Sequence, residues 1–111
     1  MSNLLVSDAE VEKALDWLRD NAGEIGEAKR RSVKAEHMLK HVKALAMKHS
    51  GEASAAAQER EAFTSAEYLA AIDTAADAAG EYEKMKALRE AASLKIEVYR
   101  SSSANYRAMK I

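Results

Sequence analysis

Apolar residues recur at spacings of three and four along the first half of the chain, which is the period of one helix face. Ser7-Asp8-Ala9-Glu10 fits a capping box, and Val6 and Val11 are placed as a hydrophobic staple around it. The pattern ends at His49-Ser50-Gly51, where glycine suits the left-handed position that follows a helix. These signals predict a helix over about residues 8–49. Its inward positions are expected to be Val11, Leu15, Leu18, Ala22, Ile25, Ala28, Ala35, Leu39, Val42 and Ala46.

The same two signals, a capping box and a hydrophobic staple, mark the start of a second long helix. Thr64 and Glu67 fit a capping box, while Phe63 and Tyr68 are spaced as a staple. They predict a long helix over about residues 65–107. Its inward face is expected to comprise Leu69, Ile72, Ala76, Ala79, Tyr82, Met85, Leu88 and Ala92, followed by Leu94, Val98 and Met109.

The segment between these helices is rich in alanine and predicts a short helix over about residues 52–62. The 111-residue chain has no proline, and its abundant Ala, Glu, Lys, Leu and Arg favour helix. We therefore predict a single all-α domain over residues 1–111, an antiparallel hairpin of two long helices with a short helix between them. Whether Gly80 kinks the second long helix stays open. Because a two-helix hairpin buries only one stripe per helix, we expect a second copy to complete it as a homodimer.

Charge is segregated along the chain although the net charge is only −1. Residues 28–50 contain seven basic and one acidic residue, and residues 84–111 contain seven and two. Residues 1–27 contain two basic and seven acidic residues, and residues 51–83 contain one and eight. Folding the hairpin places each basic block beside an acidic one. The same layout suits an antiparallel dimer, so the pairing is open between intrachain and interchain contacts.

Several classes of function lack the residues they require. There is no cysteine for a thiolate nucleophile or ligand, and no phosphate-binding loop, nucleophile elbow or His-Glu-x-x-His motif. His37 and His41 share a helix face, but no third metal ligand is evident. We expect a protein without enzymatic activity or cofactor. With no secretory signal in residues 1–8 and no membrane-length apolar run, we expect a cytoplasmic location and no membrane contact.

Three groups of residues are candidate partner-binding surfaces. The tyrosines and arginines near the C-terminus repeat at seven residues and combine types that are enriched at interfaces, although the tyrosines also suit closing the hairpin's open end. The densest basic run can contact phosphates or an acidic protein surface, or pair within the hairpin. Acidic residues of the second long helix can imitate phosphates. The three groups are Tyr99, Arg100, Tyr106 and Arg107; Lys29, Arg30, Arg31 and Lys34; and Asp73, Asp77, Glu81 and Glu83.

The segment LREAASLKIEVYRS, residues 88–101, resembles the closing helix of small all-helical accessory proteins encoded by phages and prophages. The resemblance extends over residues 88–107, and the size and the absence of cysteine and proline fit it loosely. It implies a phage accessory protein acting in a bacterial host, near DNA or against a defence or repair machine. It carries no site residues.

The sequence leaves three functions open. The first is a dimeric protein–protein interaction module, a phage-encoded modulator or inhibitor of a host protein or nucleoprotein complex. The second is a nucleic-acid-binding accessory factor that uses the basic segments, and its binding would weaken steeply with salt. The third is a structural assembly protein, which would form larger oligomers.

Overall fold

The computed structural model describes residues 5–110, with Lys110 described by its backbone alone. Residues 1–4, part of the segment searched for a secretory signal, lie outside this range. Three helices follow one another: α1 (Asp8–Lys48), α2 (Ala55–Phe63) and α3 (Ala66–Lys110). No strand occurs among the described residues. The predicted all-α hairpin of two long helices with a short helix between them is confirmed.

The chain divides into two compact units. Unit 1 comprises Met1–Ile25 and Lys84–Ile111, and unit 2 comprises Gly26–Glu83. Each unit pairs a segment of α1 with a segment of α3, and unit 2 also contains α2. In unit 1 the beginning of α1 contacts the end of α3, and in unit 2 the end of α1 contacts α2. The two long helices are therefore antiparallel.

The ends of α1 follow the signals in the sequence. The hydroxyl oxygen of Ser7 accepts a hydrogen bond from the backbone N–H of Glu10 at 3.2 Å, and Val6 is buried. Beyond the C-terminus of α1, Gly51 has a φ of +77°. This left-handed conformation is unfavourable for residues with a Cβ atom. The predicted cap and the predicted glycine stop are both confirmed.

The start of α3 differs from the prediction by one residue. Ser65, rather than Thr64, caps the helix: its hydroxyl accepts a hydrogen bond from the backbone N–H of Tyr68 at 3.2 Å. Thr64 instead ends α2, and its hydroxyl donates to the carbonyl oxygen of Arg60 at 3.1 Å. The predicted staple is confirmed, since the Phe63 and Tyr68 rings pack edge to face with centroids 5.4 Å apart. Thr64 is displaced from the cap because α2 continues to Phe63.

The inward face of α1 follows a strict heptad pattern of alternating three- and four-residue steps, as in a coiled coil. Two expected positions are wrong: Leu15 and Ala22 are exposed, and Ala14 and Asn21 take their places. The Asn21 side chain donates a hydrogen bond to the carbonyl oxygen of Trp17 at 2.9 Å. The heptad positions, all fully or partly buried, are Val11, Ala14, Leu18, Asn21, Ile25, Ala28, Ser32, Ala35, Leu39, Val42 and Ala46.

The inward face of α3 follows a second heptad pattern, rotated from the expected one. The predicted inward residues Leu69, Ile72, Ala76, Ala79, Leu88, Leu94 and Met109 are exposed. Tyr82, Met85, Ala92 and Val98 are at least partly buried, as expected. The helix continues through Gly80 without a break. The pattern is interrupted at Arg89, which is exposed, and Val98 is partly buried beside the heptad row. The other heptad positions, all at least partly buried, are Tyr68, Ala71, Ala75, Ala78, Tyr82, Met85, Ala92, Ile96, Tyr99 and Ser103.

Candidate protein-binding surfaces

The C-terminal tyrosines and arginines lie in different environments. Tyr99 is partly buried, and its hydroxyl donates a hydrogen bond to Oδ1 of Asp8 at 2.6 Å. Arg100 is exposed, with Nη1 3.4 Å from Oε1 of Glu97. Tyr106 and Arg107 are also exposed. Tyr99 therefore joins the two helices of unit 1, which supports the alternative in which a tyrosine closes the open end of the hairpin.

The hydrogen bond between Tyr99 and Asp8 makes a pH-dependent contribution to stability. The bond and the negative charge of Asp8 raise the pKa of Tyr99, because both favour the neutral phenol. A raised folded-state pKa means that the stabilisation is present below the unfolded pKa of about 10 and is lost as pH rises through the folded value. We expect Tyr99→Phe to lower the melting temperature slightly at neutral pH.

The difference in melting temperature between wild type and Tyr99→Phe is expected to narrow as pH rises above about 10. Circular dichroism melts of both proteins over a series of pH values measure it. Asp8→Asn, which keeps the tyrosine and removes the acceptor's charge, serves as the matched variant. A difference that stays constant through the alkaline range would contradict the assigned role of the phenol.

The basic run of α1 is partly neutralised on its own helix. Arg30 Nε lies 3.0 Å from Oε2 of Glu27, and Arg31 Nη1 lies 3.7 Å from the same carboxylate. The hydrogen bond and charge of Glu27 raise the pKa of Arg30, and Arg30 lowers the pKa of Glu27. Lys29 places Nζ 5.5 Å from the centre of the Tyr82 ring. Lys34 is exposed and forms no ion pair within the part of the chain that the structure describes.

A groove runs between α1 and α3 in unit 2. One cavity of about 410 Å³ and a second of about 480 Å³ share Val42, and together they follow α1 from Arg30 to Ala46. The second cavity extends past the end of α1 to Ser50 and is also lined by Glu61 of α2. We call this the α1–α3 groove. The first cavity is lined by Arg30, Arg31, Lys34, Ala35, Met38, Val42, Ala71, Thr74 and Ala78.

The two rims of the α1–α3 groove carry opposite charge. Arg30, Arg31 and Lys34 line it from α1. On α3, Asp77 and Glu81 lie three and seven residues after the groove residue Thr74, and these spacings place all three on one helix face. Both carboxylates are exposed, and neither forms an ion pair among residues 5–110. Arg30, Arg31 and Lys34 therefore line the groove, whereas Asp77 and Glu81 lie outside its lining, on the same face of α3 as Thr74.

A second surface of unit 2 consists of exposed apolar side chains of α3. Leu69 is 61% exposed and Ile72 is 41% exposed, and Ala76 and Ala79 continue the row at helical spacing. We call these four residues the outer stripe of α3. Asp73, four residues after Leu69, and Glu83, four residues after Ala79, flank it. Both are exposed and lack an ion pair in the described range.

Unit 1 has a smaller cavity of about 230 Å³. It lies beside the partly buried Trp17, with exposed lysines Lys13 and Lys95 at its edge. Leu88 contributes to its wall from α3. Trp17 is therefore a packing residue at the edge of the helix pair, and its indole reports on the folding of unit 1.

The remaining candidates form no chemical site among the described residues. His37 and His41 are both exposed, and no group of three or more His, Cys, Asp or Glu side chains in the described range is arranged to hold a metal ion. None of the three helices, over the residues searched, has a stretch apolar enough to cross a membrane.

Sequence reasoning missed both the α1–α3 groove and the outer stripe. Predicting a groove requires the register between two helices, and the periodicity of apolar residues along one helix does not give that register. The signal for the outer stripe is present in the sequence: Leu69 and Ile72 alternate with a parallel row of small residues at positions 71, 75 and 78. Comparisons of the chain with protein-family models, with curated proteins and with solved structures gave no match.

Proposed function

We propose that this protein is a non-enzymatic, homodimeric helical module that binds another protein through the outer stripe of α3. The observation that carries the proposal is the exposure of Leu69 and Ile72 side by side on a well-formed helix. Single exposed apolar residues are ordinary, but a contiguous row with a polar border is typical of a protein-binding site. Burying a leucine or isoleucine side chain contributes about 1.5–3 kcal/mol.

The charges beside the outer stripe define the chemistry of the partner. Asp73 and Glu83 border the stripe without a cation of their own. A partner surface with an apolar centre and basic residues at its edge would complement them, since opposite potentials favour association. A groove that binds single-stranded nucleic acid combines positive charge with exposed aromatic side chains. We therefore propose that the module masks such a groove, with its carboxylates in the place of phosphates.

A role as a phage-encoded modulator of a host complex is the biological setting that we propose. Its support is the resemblance of residues 88–107 to phage accessory proteins. The alternative, direct binding of nucleic acid, depends on the basic run of α1. Arg30 and Arg31 already share the carboxylate of Glu27, so fewer of their charges are available for phosphates. This pairing supports a protein partner over a nucleic acid.

Affinity capture with the tagged protein from bacterial lysate tests the proposal when outer-stripe variants are compared. We expect Leu69→Gln/Ile72→Gln to retain at least about tenfold less partner than wild type, because the variant removes apolar area worth a few kcal/mol. Leu94→Gln is the matched control, since Leu94 is equally exposed but lies in unit 1. Captured proteins are quantified by mass spectrometry with and without nuclease.

The outcome separates the candidate functions. A protein that survives nuclease, is lost from the double variant and is retained by Leu94→Gln supports the module. A partner retained equally by all three proteins would refute the outer stripe as its binding site. Partners that disappear on nuclease treatment would favour nucleic-acid binding. A ladder of large oligomers of the purified protein would favour structural assembly.

A further inference from the structure

We propose that the α1–α3 groove of unit 2 binds the same groove of a second copy around a two-fold axis, with α1 of each copy against α3 of the other. This inference deepens the homodimeric part of the proposed function by naming the interface and its symmetry. It leaves the outer stripe of α3 free for another protein.

The groove has the length of a helix. From Arg30 to Ala46 it follows seventeen residues of α1, or roughly 25 Å at 1.5 Å per residue. Its first cavity has a largely aliphatic floor that includes Ala35, Ala71 and Ala78. A channel of this length and composition fits helices laid along it better than a small amphiphile.

The two rims are complementary in size. Met38 and Leu45, seven residues apart on α1, are each 40% exposed and line successive parts of the groove. The facing positions on α3 are small, with Ala71 and Thr74 lining the groove. When α1 of one copy lies over α3 of the other, large side chains meet small ones, as ridge-into-groove packing requires.

The rims are also complementary in charge at the same level of the hairpin. Arg31 and Lys34 line one cavity together with Thr74 and Ala78, so the basic positions of α1 are level with this part of α3. Asp77 lies three residues, or about one turn, after Thr74 on the same face of α3. Glu27 neutralises one of the cations in this region, and Lys34 remains unpaired among the described residues. The basic rim thus retains positive charge for the acidic rim of a second copy.

Only one orientation of the two-fold axis uses this complementarity. An axis parallel to the helices places α1 of one copy over α3 of the other at the same level, and every neighbouring pair in the resulting four-helix bundle is antiparallel. An axis perpendicular to the helices would place α1 on α1, and cations would oppose cations. Like charges brought together destabilise an interface, so the parallel axis is favoured.

Charge reversal on the two rims tests the interface. The α1-rim variant is Arg31→Glu/Lys34→Glu, and the α3-rim variant is Asp77→Lys/Glu81→Lys. Each reverses both symmetry-related contacts, so each alone is expected to raise the dimer dissociation constant at least about tenfold. An equimolar mixture of the two variants is expected to form a heterodimer, because every reversed rim then meets its opposite. The chain carrying all four substitutions is expected to dimerise with itself.

Light scattering and sedimentation at micromolar concentration measure these states, with circular dichroism confirming that each variant keeps its helices. Lys13→Glu/Lys95→Glu changes the net charge as much as the α1-rim variant does, but in unit 1, and is expected to remain dimeric. A monomeric wild type, or a mixture of variants that stays monomeric, would overturn the proposed interface. Leu69→Gln/Ile72→Gln is expected to remain dimeric. Failure of the dimer and failure of partner binding are therefore distinguishable.

Discussion

Ile25→Ala is expected to lower the free energy of unfolding by about 2–5 kcal/mol, the range for deleting a buried branched side chain. Ile25 is 6% exposed and is the largest of the buried apolar residues in the described range. The other buried positions of α1, Ala14, Ala28 and Ala35, are small. Ile25→Ala therefore removes the largest side chain that is buried in α1.

Urea unfolding followed by circular dichroism and by the fluorescence of Trp17 measures this effect. Trp17 is the single tryptophan of the chain and lies in unit 1 with Ile25. Leu94→Ala is the control: Leu94 is 63% exposed, and a change of less than about 0.5 kcal/mol is expected. If the two substitutions cost the same, the α1 heptad does not form the core of unit 1.

The ends of the helices could be predicted because they depend on a few neighbouring residues. Ser7 and Gly51 act through their own hydroxyl and their own φ angle, and both were recognisable from local sequence. The start of α3 was displaced by one residue because Thr64 and Ser65 can both cap. Because α2 extends to Phe63, Thr64 becomes its C-terminal cap and Ser65 is left to cap α3. The choice of cap therefore depends on where α2 ends as well as on where α3 begins, and the residues at the start of α3 do not specify the end of α2.

The inward face of α3 could not be predicted from the size of its apolar residues. Periodicity favours Leu69 and Ile72 because they are the most hydrophobic residues in that stretch. The structure instead turns Ala71 and Ala75 inward. The facing stretch of α1 contains the buried Ala35, and small residues on both helices allow their backbones to approach closely. Packing between the two helices therefore determines which face of α3 points inward, and the same packing leaves the outer stripe exposed.

The charge blocks were visible in the sequence, but the partner of each charge was not. Arg30 and Arg31 pair with Glu27 three and four residues away on the same helix. Such pairs cost little conformational entropy, because the helix already holds both residues on one face. Contacts between elements also require their register, and Lys43 with Glu59 at 2.9 Å is one that forms. Asp77 and Glu81 form no ion pair among the described residues, although the charge blocks allowed pairing within the hairpin as well as between copies.

Replacing Gly23, Gly26 and Gly80 together by alanine is expected to raise the free energy of unfolding by roughly 2–3 kcal/mol. All three lie within helices, and a Cβ atom added at any of them meets no other atom within 4 Å. The expected gain comes from the smaller backbone entropy that alanine loses on folding. The open space also excludes a close helix crossing at Gly23 and Gly26.

Gly51→Ala is the matched control, because it makes the same chemical change where the added Cβ atom also meets open space. Here the φ of +77° disfavours an L side chain, so a loss of about 1–2 kcal/mol is expected. Opposite signs for the two variants in urea unfolding would show that backbone conformation alone decides the effect. If the triple variant were instead less stable than wild type, the helices would need flexibility or close approach at these glycines. That result would contradict the open space around these glycines.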